Sequence, residues 1–381
     1  MTQSNTTQDF YEKFFALVRA GMDLETVPVS LSEEECGKLK WIGICQAILP
    51  ILQRGLEKTG APAEVVEAFF QASLMDMHQS VQHDIALESV SAVLDEAKIP
   101  YVLLKGAALR HLYPDFSLRT SSDIDVLVHE TDLDRAVTVL ERDTDFETRE
   151  RGYHDVSMVS ARVHLELHFS LKEKMESVDR ILSLAWEYTE PAEGSRAVFQ
   201  PDFHVFYLIA HMVKHFLNGG LGIRPILDLW LLRTKTSFDD ETVCRMCSEC
   251  GILKFYRECC ALSVVWMKKA EHTETTLLLE EFCLSGGALG SEKFMNAGRQ
   301  RKQRGWKYLF SRVFPPAYEV RESYKNEAGK EHALPYYYVK RLISWASKEK
   351  REDFRKEVQT VLSSDQEYLN KADKLFRLLE L

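Results

Sequence analysis

The chain has 381 residues, of which 45% are apolar and 28% charged, a balance that fits a packed globular protein and excludes collagenous, low-complexity and disordered classes. Its 48 Lys and Arg against 58 Asp and Glu give a formal charge of −10, which argues against a broadly basic surface for duplex DNA but allows a local basic patch. At a prior of roughly 150 residues per domain, this length holds two or three folding units.

The longest apolar stretches, such as Trp41–Leu52 and Val205–Val213, fall short of the roughly 20 residues of a membrane span. The N-terminus, MTQSNTTQDFYEKFFALV, is polar and carries neither a basic n-region nor a small-residue cleavage site. A cytoplasmic protein with no membrane partner is therefore expected. Eight cysteines are too few for a disulfide scaffold and read as buried thiols.

In chain order, Asp9 to about Lys98 is helical. Ala86, Val90, Val93, Leu94 and Ala97 form one apolar stripe at i, i+4, i+7, i+8 and i+11, and Lys98-Ile99-Pro100 ends it. Tyr101–Gly106 then reads as a short strand stopped by glycine, and GAALRHLY as a short helix that Pro114 breaks. The loop DFSLRTSS leads into DIDVLV (Asp123–Val128), a buried strand by its length and β-branched content. Thr131 and Asp134 resemble a capping box for a helix carrying Leu133, Ala136, Val137 and Leu140 to about Arg142. Tyr153–Val159 and Val163–Phe169 read as two strands of a hairpin joined by Ser160-Ala161-Arg162. Tyr101–Leu171 is thus β-α-β-α-β-β, and from about Asp202 helical periodicity returns without a further strand.

Asp123 and Asp125 leave the same face of their strand about 7 Å apart, with Ile124, Val126 and Val128 on the other face. Two carboxylates so placed repel unless a cation lies between them, and Mg2+ or Mn2+ suits such oxygen donors. In VHLELHF, Val163, Leu165 and Leu167 alternate with His164, Glu166 and His168, so Glu166 can supply a third carboxylate. Two metals held by Asp123, Asp125 and Glu166 suit in-line displacement at a nucleotide α-phosphate, with pyrophosphate leaving. Glu166 or Asp125, and less directly His164 or His168, are candidates for the base. Lys105-Gly106-Ala107 stands at a strand-to-helix turn, where backbone N–H groups favour an anion and glycine permits close approach. Arg119 offers a bidentate phosphate contact, and Ser121 and Ser122 offer hydroxyl donors.

Glycine turn, short helix, loop, Asp-x-Asp strand and a later strand carboxylate together resemble the DNA polymerase β-type nucleotidyltransferase superfamily. The string LLKGAALRHLYPDFSLRTSSDIDVLV is most similar to its uncharacterised bacterial branch. Weaker likenesses lie in HMVKHFLNGGLGIRPILDLWLL at His211–Leu232 and LFSRVFPPAYEVRESY at Leu309–Tyr324. The resemblance implies an ATP- or other NTP-dependent transferase that moves a nucleoside monophosphate to an acceptor. Asp123, Asp125 and Glu166 match its catalytic and metal carboxylates, and Gly106 its nucleotide-binding turn. The superfamily turn usually carries Gly-Ser or Gly-Gly, whereas Lys105-Gly106-Ala107 offers no hydroxyl.

Plainer readings stand beside these. Glu166 fits an outward-facing hairpin position, and Arg119 a loop pair with Asp115 or Asp123. His211 and His215 have zinc-ligand spacing without the protease glutamate and read as core or supporting residues. Lys214 and Asp228 suit either a cleft or an interdomain pair. Cys244, Cys247 and Cys250, with Cys259 and Cys260, read as helix thiols because no fourth ligand follows at a cluster spacing. Lys293–Arg312 holds seven basic residues (Lys293, Arg299, Arg301, Lys302, Arg304, Lys307, Arg312), no acidic ones, and Trp306, Tyr308 and Phe310, a solvated face or an RNA-binding patch.

The expected architecture is α+β: a helical region at 1–79, a nucleotidyltransferase-type mixed-sheet core at 80–190 and a mostly helical domain at 191–381, with the site between core and C-terminal helices. The acceptor is open among small molecules, proteins and RNA. The alternatives in function are a nucleotide-binding regulator that performs no transfer and an RNA-binding module.

Overall fold

A computed structural model describes residues 2–287, 291–300, 334–344 and 366–381. Helices α1 (Thr2–Gly21), α2 (Glu33–Cys45), α3 (Leu49–Lys58) and α4 (Ala63–Glu96) come first. They are followed by β1 (Tyr101–Leu103), α5 (Lys105–Leu109), β2 (Asp123–Val128), α6 (Leu133–Asp143), β3 (Glu147–Arg151), β4 (Asp155–Val159), β5 (His164–His168), α7 (Glu176–Leu182), β6 (Thr189–Pro191) and β7 (Arg196–Phe199). Helices α8 (Pro201–Asn218), α9 (Ile223–Lys235), α10 (Asp240–Glu249), α11 (Leu253–Lys268), α12 (Glu274–Ser285), α13 (Glu292–Gln300), α14 (Leu334–Ser344) and α15 (Gln366–Leu378) complete the described chain. The protein is α+β: one mixed seven-stranded sheet, ordered β3-β4-β5-β2-β1-β7-β6, lies among helices.

The alternation of DIDVLV decides how that sheet is covered. Ile124, Val126 and Val128 are fully buried and share a core with Val90 and Leu94 of α4 and Val137 and Leu140 of α6. On the opposite face of β2, Leu127 joins a larger core with Phe203 and Phe206 of α8 and Leu227 of α9. One face of the sheet is therefore closed by α4 and α6. The other is closed by α8 and α9 only where its side chains are apolar, and Asp123 and Asp125 keep its remaining end polar. Farther along, Phe294 and Phe376 stack and both meet the Phe216 ring at a steep angle, joining α8, α13 and α15. Among the described residues no helix is long and apolar enough to cross a membrane.

The stripe at Ala86–Ala97 is the end of a single 34-residue helix, α4, whose exit is set by Lys98 at φ 53° before Pro100. The hairpin forms as expected, with Val159 opposite His164 and Ser160 Oγ accepting from the Val163 N–H at 3.0 Å. Three expectations are corrected. Thr131 lies in a 3-10 turn, Glu130–Asp132, and α6 starts after Asp132 with no side-chain cap, so the Thr131/Asp134 capping box does not form. The strand at Tyr101 ends at Leu103 because Lys105 already begins α5. A strand absent from the expected order, β3, carries ETRER at the sheet edge; its charges suit an edge and erase the apolar alternation by which strands are read. The sheet also continues past residue 190 into β7. Of the basic run, Arg301, Lys302, Arg304, Lys307 and Arg312 lie outside the described residues, as do Trp306, Tyr308, Phe310 and the string Leu309–Tyr324.

Candidate functional site

Parallel pairing of β2 with β5 sets Asp123 opposite His164, Asp125 opposite Glu166 and Leu127 opposite His168. Period-two alternation then puts both aspartates, Glu166 and the two histidines on one face. Asp123, His164 and Glu166 bring their ligand atoms within 4.8 Å of one another, as do Asp125, Glu166 and His168. Carboxylates so close need positive charge between them, and the chain supplies some of its own. Lys105 Nζ is 2.6 Å from Asp125 Oδ1 and 3.8 Å from Glu166 Oε2. His168 Nε2 lies 2.9 Å from Asp125 Oδ1 and 3.3 Å from Glu166 Oε2.

Asp125 is only 2% exposed. Burial opposes its ionisation, but the Lys105 charge and the His168 hydrogen bond outweigh burial and hold its carboxyl far below the usual range. The bond from His168 lowers Glu166 against burial and the repulsion of Asp125. Burial disfavours charge on His168, yet the bonds to both carboxylates raise its pKa. Lys105 is likewise raised because Asp125 overcomes the cost of burying the ammonium.

Lys105 is held at φ 45°, a left-handed conformation that non-glycine residues seldom adopt. The Leu104 N–H continues the pairing past the end of β1 by donating to the Asp125 carbonyl at 2.9 Å, and Lys105 turns out of that contact toward the carboxylates. At Gly106 an added Cβ would stand 2.9 Å from Ser121 Oγ and 3.4 Å from the Arg119 guanidinium. Glycine thus lets the 119–122 loop lie against the turn. From that loop Ser121 and Ser122 each donate to Asp123 Oδ1 at 3.2 Å.

Arg119 bonds neither Asp115 nor Asp123. Its Nε and Nη2 donate to Asp228 of α9 at 2.8 and 2.9 Å, and its Nη1 donates to the Thr120 carbonyl at 2.7 Å. Asp228 also accepts from the Tyr113 hydroxyl at 2.7 Å, and Asp115 instead caps the Ser117 N–H. With side chains 7% and 4% exposed, Arg119 and Asp228 form a buried tie between the 113–122 loop and α9.

All eight residues expected from the sequence, Lys105, Gly106, Arg119, Ser121, Ser122, Asp123, Asp125 and Glu166, border one cleft of about 680 Å3. Helices α8 and α9 form its far wall with His211, Lys214, His215 and Asp228, joined by Tyr207, Arg224 and Glu173, which sequence reasoning did not single out. The spacing of Tyr207, His211 and His215 at i, i+4 and i+8 was the available signal. Arg224 donates to the Thr120 carbonyl at 3.0 Å, and burial together with the Arg119 charge lowers it to about 10.

The donor set fits a hard divalent cation: carboxylate oxygens of Asp123, Asp125 and Glu166 dominate, and the ammonium of Lys105 already marks a place where positive charge is stabilised. The cysteines form no comparable group. All eight are free thiols, Cys247, Cys250, Cys259 and Cys260 are buried, and none belongs to a metal-capable cluster among the described residues.

A family model described as "uncharacterised nucleotidyltransferase" matches residues 32–268, from the N-cap of α2 through α11, more than half of the chain and all of the cleft. No curated protein matches the sequence.

Proposed function

The chain belongs to the uncharacterised nucleotidyltransferase family, and on that premise we propose that it transfers a nucleoside monophosphate from an NTP, ATP among them, to an acceptor and releases pyrophosphate. The observation that carries this reading is the set of three carboxylates on one face of the parallel β2–β5 pair, beside the half-buried Lys105. The same arrangement supports a DNA polymerase β-type site of Asp123, Asp125 and Glu166. We further propose a helical region at 1–79, a catalytic core at 80–190 to whose sheet β7 adds one strand, and an otherwise helical domain at 191–381.

In this reading Asp123, Asp125 and Glu166 hold Mg2+ or Mn2+, which when bound supplies charge neutralisation at the α-phosphate and the leaving pyrophosphate. Lys105 stands where it can exchange its Asp125 contact for a phosphate oxygen, and Gly106 admits the nucleotide close to the backbone. Ser121 and Ser122 orient Asp123 and face the nucleotide, and Arg119 serves the site by fixing their loop through Asp228.

Calorimetric titration with each of the four NTPs, with and without Mg2+, tests the reading on wild type and on Asp123→Asn/Asp125→Asn. Metal-dependent binding that the variant loses, with pyrophosphate released by wild type, is expected; no binding of any NTP overturns it. One observation favours a second reading, a nucleotide-binding regulator: Lys105 and His168 already neutralise the carboxylates. Metal-independent NTP binding without pyrophosphate would support that alternative.

A further inference from the structure

In the cleft that the carboxylates border, three further side chains form a hydrogen-bonded line. Glu173 Oε1 is 3.0 Å from His211 Nδ1, and His211 Nε2 is 2.9 Å from His215 Nε2. Glu173 has a side chain only 7% exposed. Burial favours its neutral form, but His211 and then Lys214, whose Nζ is 2.5 Å from Oε2, bring it down to about 2. It is therefore an ionised carboxylate and only accepts hydrogen bonds.

That fact sets every proton along the line. His211 must donate from Nδ1, so in a neutral ring its Nε2 holds a lone pair. The short contact then requires His215 to donate from Nε2, which leaves the lone pair of His215 on Nδ1. That nitrogen has no partner among the described residues, and its ring borders the cleft. The pair is faced by Glu173, Lys214, Lys105 and Tyr207. Burial, then the repulsion the two rings would feel if both were protonated and the Lys214 charge, lowers His215 to about 3, and burial also lowers His211, so both rings are neutral at neutral pH.

We propose that His215 Nδ1 takes the proton of the acceptor substrate and that this substrate reacts through a neutral hydroxyl group; the inference builds on the nucleotidyltransferase reading above. The acceptor oxygen forms its bond to the α-phosphorus while the bond from that phosphorus to pyrophosphate breaks, its electron pair leaving with pyrophosphate. The hydroxyl proton passes to His215 Nδ1, and the Nε2 proton of His215 passes to His211 Nε2. The positive charge then rests on His211 against the Glu173 carboxylate, and the proton returns to solvent by the reverse path. Glu173 and His211 are positioning residues that act through His215. An anionic acceptor such as a phosphate needs no base, and the two lysines that face the pair, Lys214 and Lys105, are already bound to Glu173 and Asp125.

The test combines nitrogen-15 spectra of histidine-labelled protein with pyrophosphate release from NTP and Mg2+, water serving as the probe acceptor. The expected result is His215 protonated on Nε2 alone, and a His215→Ala variant that binds NTP as wild type does but releases pyrophosphate about 100-fold more slowly. Imidazole in solution should restore part of that rate, which a purely structural role would not allow. His215 protonated on Nδ1, or His215→Ala at the wild-type rate, overturns the relay alone. Formation of NDP from inorganic phosphate offered as acceptor overturns the hydroxyl assignment. A wild-type protein that binds no NTP overturns the nucleotidyltransferase reading and the relay with it.

Discussion

Replacing Asp228 with alanine tests whether Arg119 acts as a tie. Asp228 accepts from Arg119 Nε at 2.8 Å, from Arg119 Nη2 at 2.9 Å and from the Tyr113 hydroxyl at 2.7 Å, and it is almost fully buried. Asp228→Ala leaves a guanidinium in a dry site with only the Thr120 carbonyl, and strands the Tyr113 hydroxyl. Removing one partner of a buried ion pair costs about 3–5 kcal/mol. Tyr113→Phe, which leaves the ion pair whole, should cost only about 1 kcal/mol. Because an apolar pair of similar volume can replace a buried ion pair at little cost, Arg119→Met/Asp228→Leu should recover most of the stability lost in Asp228→Ala. Urea midpoints at constant slope measure all three, and calorimetry on the double variant asks whether NTP affinity survives. A loss below about 1 kcal/mol in Asp228→Ala would refute the buried-tie reasoning. A stable double variant that no longer binds NTP would assign the Arg119 guanidinium directly to phosphate.

Four further outcomes follow from the same geometry. Asp123→Asn and Asp125→Asn should each remain folded and lower pyrophosphate release by about 100-fold or more, measured by a coupled pyrophosphate assay. Gly106→Val places side-chain atoms where the Ser121 hydroxyl lies 2.9 Å from even a Cβ, so the 119–122 loop must shift; overpacking of this kind costs about 1–3 kcal/mol, and a calorimetric NTP titration should show weakened binding. Glu173 has its folded pKa depressed from 4.5 to about 2, so its stabilisation is present above pH 4.5 and lost as pH falls toward 2; at about 1.4 kcal/mol per pKa unit it amounts to about 3 kcal/mol. The gap in urea stability between wild type and Glu173→Gln should close over that window, and a gap independent of pH would contradict the pairing. Cys247, Cys259 and Cys283 are buried whereas Cys36, Cys45 and Cys244 are half-buried, so native protein should react with iodoacetamide first at the latter three, as peptide mapping would show.

Which parts of this molecule the sequence discloses depends on how far apart the partners are. DIDVLV and HLELH carry their faces in their own alternation, so the convergence of Asp123, Asp125 and Glu166 needs only that the two strands be neighbours, as they are. The hairpin turn at Ser160 is equally local. The partner of Arg119 is not: Asp228 lies 109 positions away, and Asp115 and Asp123 were the carboxylates within local reach. Strand β3 fails for a different reason, since ETRER at an exposed edge has no buried face to leave a pattern. The i, i+4 spacing of His211 and His215 is visible in the sequence, but its meaning depends on Glu173, which sits within the charged string LKEKME and reads there as solvated.

The two walls of the cleft come from separate stretches of chain, and this separation has a consequence for specificity. Lys105, the serine loop, Asp123, Asp125 and Glu166 all precede residue 170, whereas Glu173, His211, Lys214, His215, Arg224 and Asp228 all follow it. Among the described residues strong contacts join them at few points: Arg119 and the Tyr113 hydroxyl to Asp228, and Arg224 to the Thr120 carbonyl. Under the proposed reading, the first wall meets groups common to every NTP, so its geometry is constrained by the triphosphate and by closely spaced carboxylates that tolerate little displacement. The second wall meets the acceptor, and its rings and charges are carried on α8 and α9, whose other faces are held by the large apolar core. Substitutions at Tyr207 or His211 that keep that core should therefore change acceptor use without changing NTP affinity, whereas substitutions at Asp228 should affect both walls at once, because that carboxylate anchors the loop that reaches Asp123.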